Sequence, residues 1–194
     1  MTPNQFRLVD GTIVKLCPTN KPLYCSKAGK FYSVHGMIIT DEGCIMREIK
    51  PNFSPAMRTP GRHCHNGRRG CVYPIMRRYD KQLCHKLMAL TWLGPRPIVV
   101  TPEGNAIPMQ IDHLNGNILD WRADNLQYVT PEENNKRARL LRARRKIALQ
   151  DHRPELLPEN MSRDQLLELF DAYEVSPLQL PPLGERGLPG PFLN

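Results

Sequence analysis

Asp112, His113 and Asn134 are residue types that can act together on a phosphate ester. A carboxylate and an amide oxygen are hard donors of the kind Mg²⁺ accepts, with water and phosphate oxygens filling the rest of its shell. An imidazole with an ordinary pKa of about 6.5 can take a proton from water near neutral pH. Hydrolysis of a phosphodiester needs an activated water, a base for its proton, and positive charge beside the scissile phosphate and leaving oxygen. An Asp-His pair alone is more often a turn acid beside an incidental histidine, so the weight falls on the elements that would bring Asn134 to it. A calcium loop opened by Asp112 is excluded, because Leu114 and Gly116 fill the third and fifth positions, where that loop needs oxygen donors.

Those elements are legible. Apolar alternation at Ile107, Met109 and Ile111 predicts a strand with His113 at its end, after a turn at Pro102–Asn105. A second strand is predicted near Leu126 to Val129, and the residues between His113 and Asn125, with Asn115-Gly116-Asn117 and Asp120, suit a long loop. Thr130 can then cap a helix, with Pro131 at its first position and Glu133 closing a capping box, and the helix is expected to run to about Gln150. Upstream, Leu83, Leu87 and Leu90 share a helical face that Gly94 and Pro95 bring to a stop. Residues 1–56 carry short apolar stretches such as Thr12–Val14 and Met37–Thr40, which read as short strands, and a basic loop or hairpin is expected between Arg58 and Lys81. Ser162 opens a short amphipathic helix with Leu166, Leu167, Leu169 and Phe170, ahead of a Pro/Gly-rich end expected to be extended or disordered.

Charge is unevenly spread. Residues 1–150 hold 24 of the 27 Lys and Arg and 11 of the 19 acids, which leaves +13 there and −5 beyond. A polyanion is the natural partner of the first part. Within the helix after Thr130, Lys136, Arg137, Arg139, Arg142, Arg144 and Arg145 are the candidate DNA contacts, in a run that also includes Lys146. Neutralising about six phosphates would give a log–log salt slope near −5. No apolar run is long enough for a membrane span and the N-terminus lacks the build of a signal peptide, so a cytoplasmic protein is expected. Its cysteines should then be thiols unless some hold metal; Cys64, His65 and Cys71, with His63 and with Cys44 or Cys84 as further ligands, are candidates for a structural Zn²⁺, though their spacing is irregular. His85 reads as a packed helix residue and Trp92 as core.

The run Ile111-Asp112-His113-Leu114-Asn115-Gly116-Asn117, followed by Asp124-Asn125-Leu126-Gln127-Tyr128-Val129-Thr130 and Glu133-Asn134, resembles the motif of HNH endonucleases, including phage and intron-encoded homing nucleases. Leu83–Ala89 is similar to the Val-His-Arg-Leu-Val-Ala segment that precedes that motif, and Phe31–Gly36 more weakly resembles the N-terminal module of the same nucleases. The likeness is strong over 83–139, faint over 24–82 and absent beyond 150. It implies a general base at His113, one divalent metal on Asp112 and Asn134, and a loop braced by hydrogen bonds from Asn125. Homing members often carry a helical DNA-reading module after the nuclease unit, where this chain has an acidic, Pro-rich tail.

The expected architecture is α+β: a β-rich basic module over 1–82, a ββα-metal (HNH) nuclease domain over 83–150, and an extended tail with one short helix over 151–194. The expected activity is metal-dependent hydrolysis of double-stranded DNA with Mg²⁺ or Mn²⁺, by a monomer or a homodimer, as a nick or a double-strand cut. The rival readings are a catalytically inactive DNA-binding protein that keeps the HNH scaffold, and a zinc-stabilised interaction protein.

Overall fold

A computed structural model describes residues 3–53 and 74–175. The chain opens with an antiparallel meander in spatial order β1 (Gln5–Arg7), β2 (Ile13–Leu16), β3 (Leu23–Ser26), β4 (Phe31–Thr40) and β5 (Gly43–Ile49). The expected stretches around Val14 and Ile38 lie in β2 and β4. The sheet curls until its ends meet, with a bridge between Leu8 and Cys44. Gly43 permits that approach: its φ is +149°, and a Cβ there would stand 3.0 Å from the Arg7 carbonyl oxygen.

Strand alternation gives the sheet two buried faces. Val14, Tyr24 and Tyr32 pack with Leu8 and Cys44 on one side. Leu23, Cys25 and Phe31 turn to the other, where they meet helix α1 (Cys84–Trp92) through Cys84, Leu87, Met88 and Ala89, together with Ala123 and Leu126. One apolar core therefore runs from the N-terminal sheet through α1 to the segment around residue 125. Between them lies a small antiparallel sheet of β6 (Asn52–Phe53), β7 (Pro74–Met76) and β8 (Gln82–Leu83). Trp92 is packed against this core, as its sequence context implies.

The single strand expected through Ile107, Met109 and Ile111 is instead two. β9 (Ile98–Val100) pairs with β10 (Ala106–Pro108), whereas β11 (Gln110–His113) pairs with β12 (Leu126–Val129). Pro108 has no N–H with which to continue a ladder, and Met109 turns its own N–H to the Pro97 carbonyl at 3.0 Å. Alternation survived the break and so concealed it.

Helix α2 (Pro131–Gln150) follows β12 directly. Thr130 caps it, its hydroxyl accepting from the Glu133 N–H at 3.2 Å, with Pro131 in the first turn. The reciprocal half of the capping box is replaced, because the Glu133 carboxylate bonds Arg137. From Asp151 to Val175 the chain stays compact. It makes two short 3-10 turns, Pro154–Leu156 and Pro158–Asn160, and then helix α3 (Arg163–Val175), whose Leu166 and Phe170 pack on Leu140, Leu141 and Leu114. The Pro/Gly-rich end after Val175 lies outside the described residues. Among those described, no helix is long and apolar enough to cross a membrane.

Candidate active site

The β11–β12 ladder sets Asp112 opposite Gln127 and His113 opposite Leu126. Gln127 Nε2 donates across the ladder to Asp112 Oδ2 at 3.2 Å, and Arg137 Nη1 approaches the same oxygen to 3.8 Å from the second turn of α2. Asp112 is 8% exposed, and burial pushes its carboxyl above the usual range against the opposing pull of Arg137 and Gln127. Two residues back on the same face of β11, Gln110 Oε1 accepts from Asn134 Nδ2 at 2.7 Å. That bond takes the amide nitrogen of Asn134 and leaves its oxygen available to a cation. Asn135, next in the chain, is exposed. Asp112 and Asn134 thus both lie between β11 and the start of α2.

His113 turns to the other side of the ribbon. Its ring stands edge-on to that of His85 in α1, with centroids 5.2 Å apart. It is 7% exposed, and its Nε2 is buried without a hydrogen-bond partner. Burial first, and the neighbouring His85 second, hold its pKa down to about 4, with Asp120 pulling weakly the other way. The imidazole is therefore neutral at pH 7 and its ring nitrogen is in the state a base requires, at some cost in basicity.

A network of short polar bonds holds the connection between the strands. Asn125 Oδ1 accepts from the Asn115 N–H at 3.1 Å, while its Nδ2 donates to Asn115 Oδ1 at 2.9 Å and to the Asp120 carbonyl at 2.8 Å. Asp120 takes further bonds from the Asn115 amide at 3.0 Å and from Arg122 at 2.8 Å, and that guanidinium holds its carboxyl below the usual range. The turn after His113 then packs on α2, where Gly116 adopts φ +64° and lies beneath Leu141 and Arg145. Trp121 ties the loop to the N-terminal sheet by donating to the Gly29 carbonyl at 2.8 Å.

Residues 100–136 match the family model for HNH endonucleases, a segment that contains Asp112, His113, Asn125 and Asn134. The chain carries a segment similar to HNH endonucleases. No match was found among curated proteins or among solved structures. The HNH segment begins in β9 and ends in the second turn of α2, so the sheet β1–β5, α1 and α3 all lie outside it.

The basic run on α2 divides into two faces. Lys136, Arg139 and Arg142 are exposed, as is Lys146 beyond them. Arg137 is not on that surface: its side chain is 14% exposed, bonds Glu133, and lies 4.5 Å over the Phe170 ring. Arg145 is also directed inward, donating to the Asn115 carbonyl at 2.9 Å and to Glu159 at 3.1 Å, and Arg144 is half-buried. The physical reason is helical periodicity, which puts these residues on the same side as the buried Leu140, Leu141 and Ala148.

The zinc candidates Cys64, His65 and Cys71 lie outside the described residues. Their proposed partners Cys44 and Cys84 are buried thiols in two different apolar clusters. Among the described residues no three His, Cys, Asp or Glu side chains gather as a metal site. The donors around Asp112 are one carboxylate and one amide, a set that suits a cation keeping much of its water. Sequence reasoning missed Gln110, Gln127 and Phe170; the first two become visible only once the strand register is known.

Proposed function

We propose that this chain is a metal-dependent DNA endonuclease whose β11–β12–α2 region is a ββα-metal unit. The observation that carries this reading is the family match over residues 100–136, on the segment where the buried His113 Nε2 has no hydrogen-bond partner and Gln110, on the Asp112 face of β11, bonds the Asn134 amide of α2. In this reading His113 takes the proton from the attacking water. Asp112 and Asn134 would hold one divalent cation, Mg²⁺ or Mn²⁺, which would supply positive charge for the scissile phosphate and the leaving 3′-oxygen. In-line displacement sets the attacking and leaving oxygens on opposite sides of phosphorus. A base on the α1 side of the ribbon end and oxygen donors on the α2 side suit that requirement.

Asn125 acts by holding the loop that carries the chain from His113 to β12. Gln127 and Gln110 orient the two donors. Lys136, Arg139 and Arg142 give the duplex phosphate contacts that position it without reading its sequence. The test is His113→Ala incubated with supercoiled plasmid and Mg²⁺, with binding followed by gel shift. Loss of cutting with retained binding is expected; cutting at the parent rate ends the proposal. If the parent itself binds DNA but fails to cut it in every divalent metal tried, the scaffold serves DNA binding alone.

A further inference from the structure

We propose that Arg137 is an internal counter-ion that holds down the divalent-cation affinity of Asp112 and Asn134 in the free protein, and that Phe170 of α3 keeps it in place. This rests on the metal site proposed above. Among the described residues Arg137 is the cation paired with Asp112, with Nη1 3.8 Å from Oδ2, an oxygen that Gln127 Nε2 also bonds at 3.2 Å. Three neighbours on three elements fix the guanidinium: Glu133 one turn earlier on α2, Asp112 on β11, and the Phe170 ring at 4.5 Å. A stacked, paired Arg at 14% exposure is screened by solvent less than a surface charge would be, so its field acts on the Asp112 oxygens.

The position of α3 is itself fixed. Leu166 and Phe170 are buried on α2, and Arg163 donates to the Asp124 carbonyl beside the loop. The C-terminal segment outside the family match thereby reaches the site through one aromatic ring. Nη1 is also buried and makes no hydrogen bond to a protein acceptor. With Asp112 and Glu133 against Arg137, the group carries one net negative charge. A divalent cation would leave it positive, and a phosphodiester restores balance while giving Nη1 an acceptor.

The test is Mn²⁺ titration of the full chain, reading free Mn²⁺ by electron paramagnetic resonance, with a thermal melt on each variant. Asp112→Asn should weaken binding at least about tenfold, and Arg137→Gln should tighten it by about tenfold, as expected for removal of one adjacent, poorly screened charge. Arg137→Lys, which keeps the charge, should stay near the parent. Glu133→Gln should weaken binding several-fold. If Asp112→Asn leaves Mn²⁺ binding unchanged, the metal site itself is wrong and the inference falls with it. If Asp112→Asn weakens binding but Arg137→Gln melts like the parent and binds no tighter, the metal site stands and the role given to Arg137 is overturned. Should Arg137→Gln fail to fold, Arg137→Met, whose stem can still lie on Phe170, decides the question by the same criterion.

Discussion

The imidazoles of His85 and His113 meet edge to plane, with ring centroids 5.2 Å apart and planes at 75°, so α1 and the end of β11 share a buried histidine pair. Both rings have pKa values pushed down from 6.5 to about 4, each chiefly by burial. Charging either ring would bring a positive charge against its neighbour in a poorly hydrated place.

Stability should therefore fall in acid. The unfolded chain takes up protons on these histidines as pH drops below about 6.5, while the folded chain resists until about 4. The contribution is fully present above pH 6.5 and is lost on descent through that window, by an amount on the order of a few kcal/mol. Urea melts from pH 7.5 to pH 4 measure it. His85→Leu should flatten the dependence, and an unchanged slope in that variant would remove the pair as its source.

Asn125 makes three hydrogen bonds from a buried position, and each of them spans the loop between the strands. Asn125→Ala leaves the Asn115 N–H and the Asp120 carbonyl without their partner and should cost about 2–4 kcal/mol. Asn125→Asp keeps the acceptor but loses the donors, and should fall between Ala and the parent. Equilibrium unfolding of the three proteins gives the order.

Thr130 bonds the N–H of Glu133, the residue before Asn134. Thr130→Ala should lower stability by about 1 kcal/mol and fray the turn that presents the Asn134 amide. Mn²⁺ affinity should drop alongside, while Thr130→Ser should restore both. A stability loss with unaltered Mn²⁺ binding would separate the cap from the site.

DNA affinity should depend on fewer charges than the basic run contains. With Lys136, Arg139 and Arg142 outward and Arg137 and Arg145 engaged inside, three to four phosphate contacts from α2 predict a log–log salt slope near about −3 rather than −5. Replacing Arg139 and Arg142 by Gln should reduce that slope by roughly two without changing the melting temperature. Arg145→Gln should do the reverse, lowering stability while leaving the slope nearly intact. Fluorescence anisotropy of a labelled duplex across a salt series distinguishes the two behaviours.

Local rules were enough for the elements at the site. The Thr130 cap with Pro131 is encoded within four residues, the stop of α1 at Gly94 and Pro95 likewise, and the family motif runs from Ile111 to Asn134 along one short stretch of chain. These features are legible because each depends on neighbours in sequence. What tertiary structure alone decided is which way the side chains face and what meets them. Pro108 breaks an alternation that reads as continuous, register sets Gln127 against Asp112, and the curl of the helix turns Arg137 and Arg145 away from solvent. Phe170 comes to Arg137 from 33 positions further along the chain, and His85 to His113 from 28 positions before it, through packing of apolar surfaces that carries no local signature. Burial is non-directional and long-range in sequence, so the sequence by itself names the candidate groups, and only the fold decides what surrounds them.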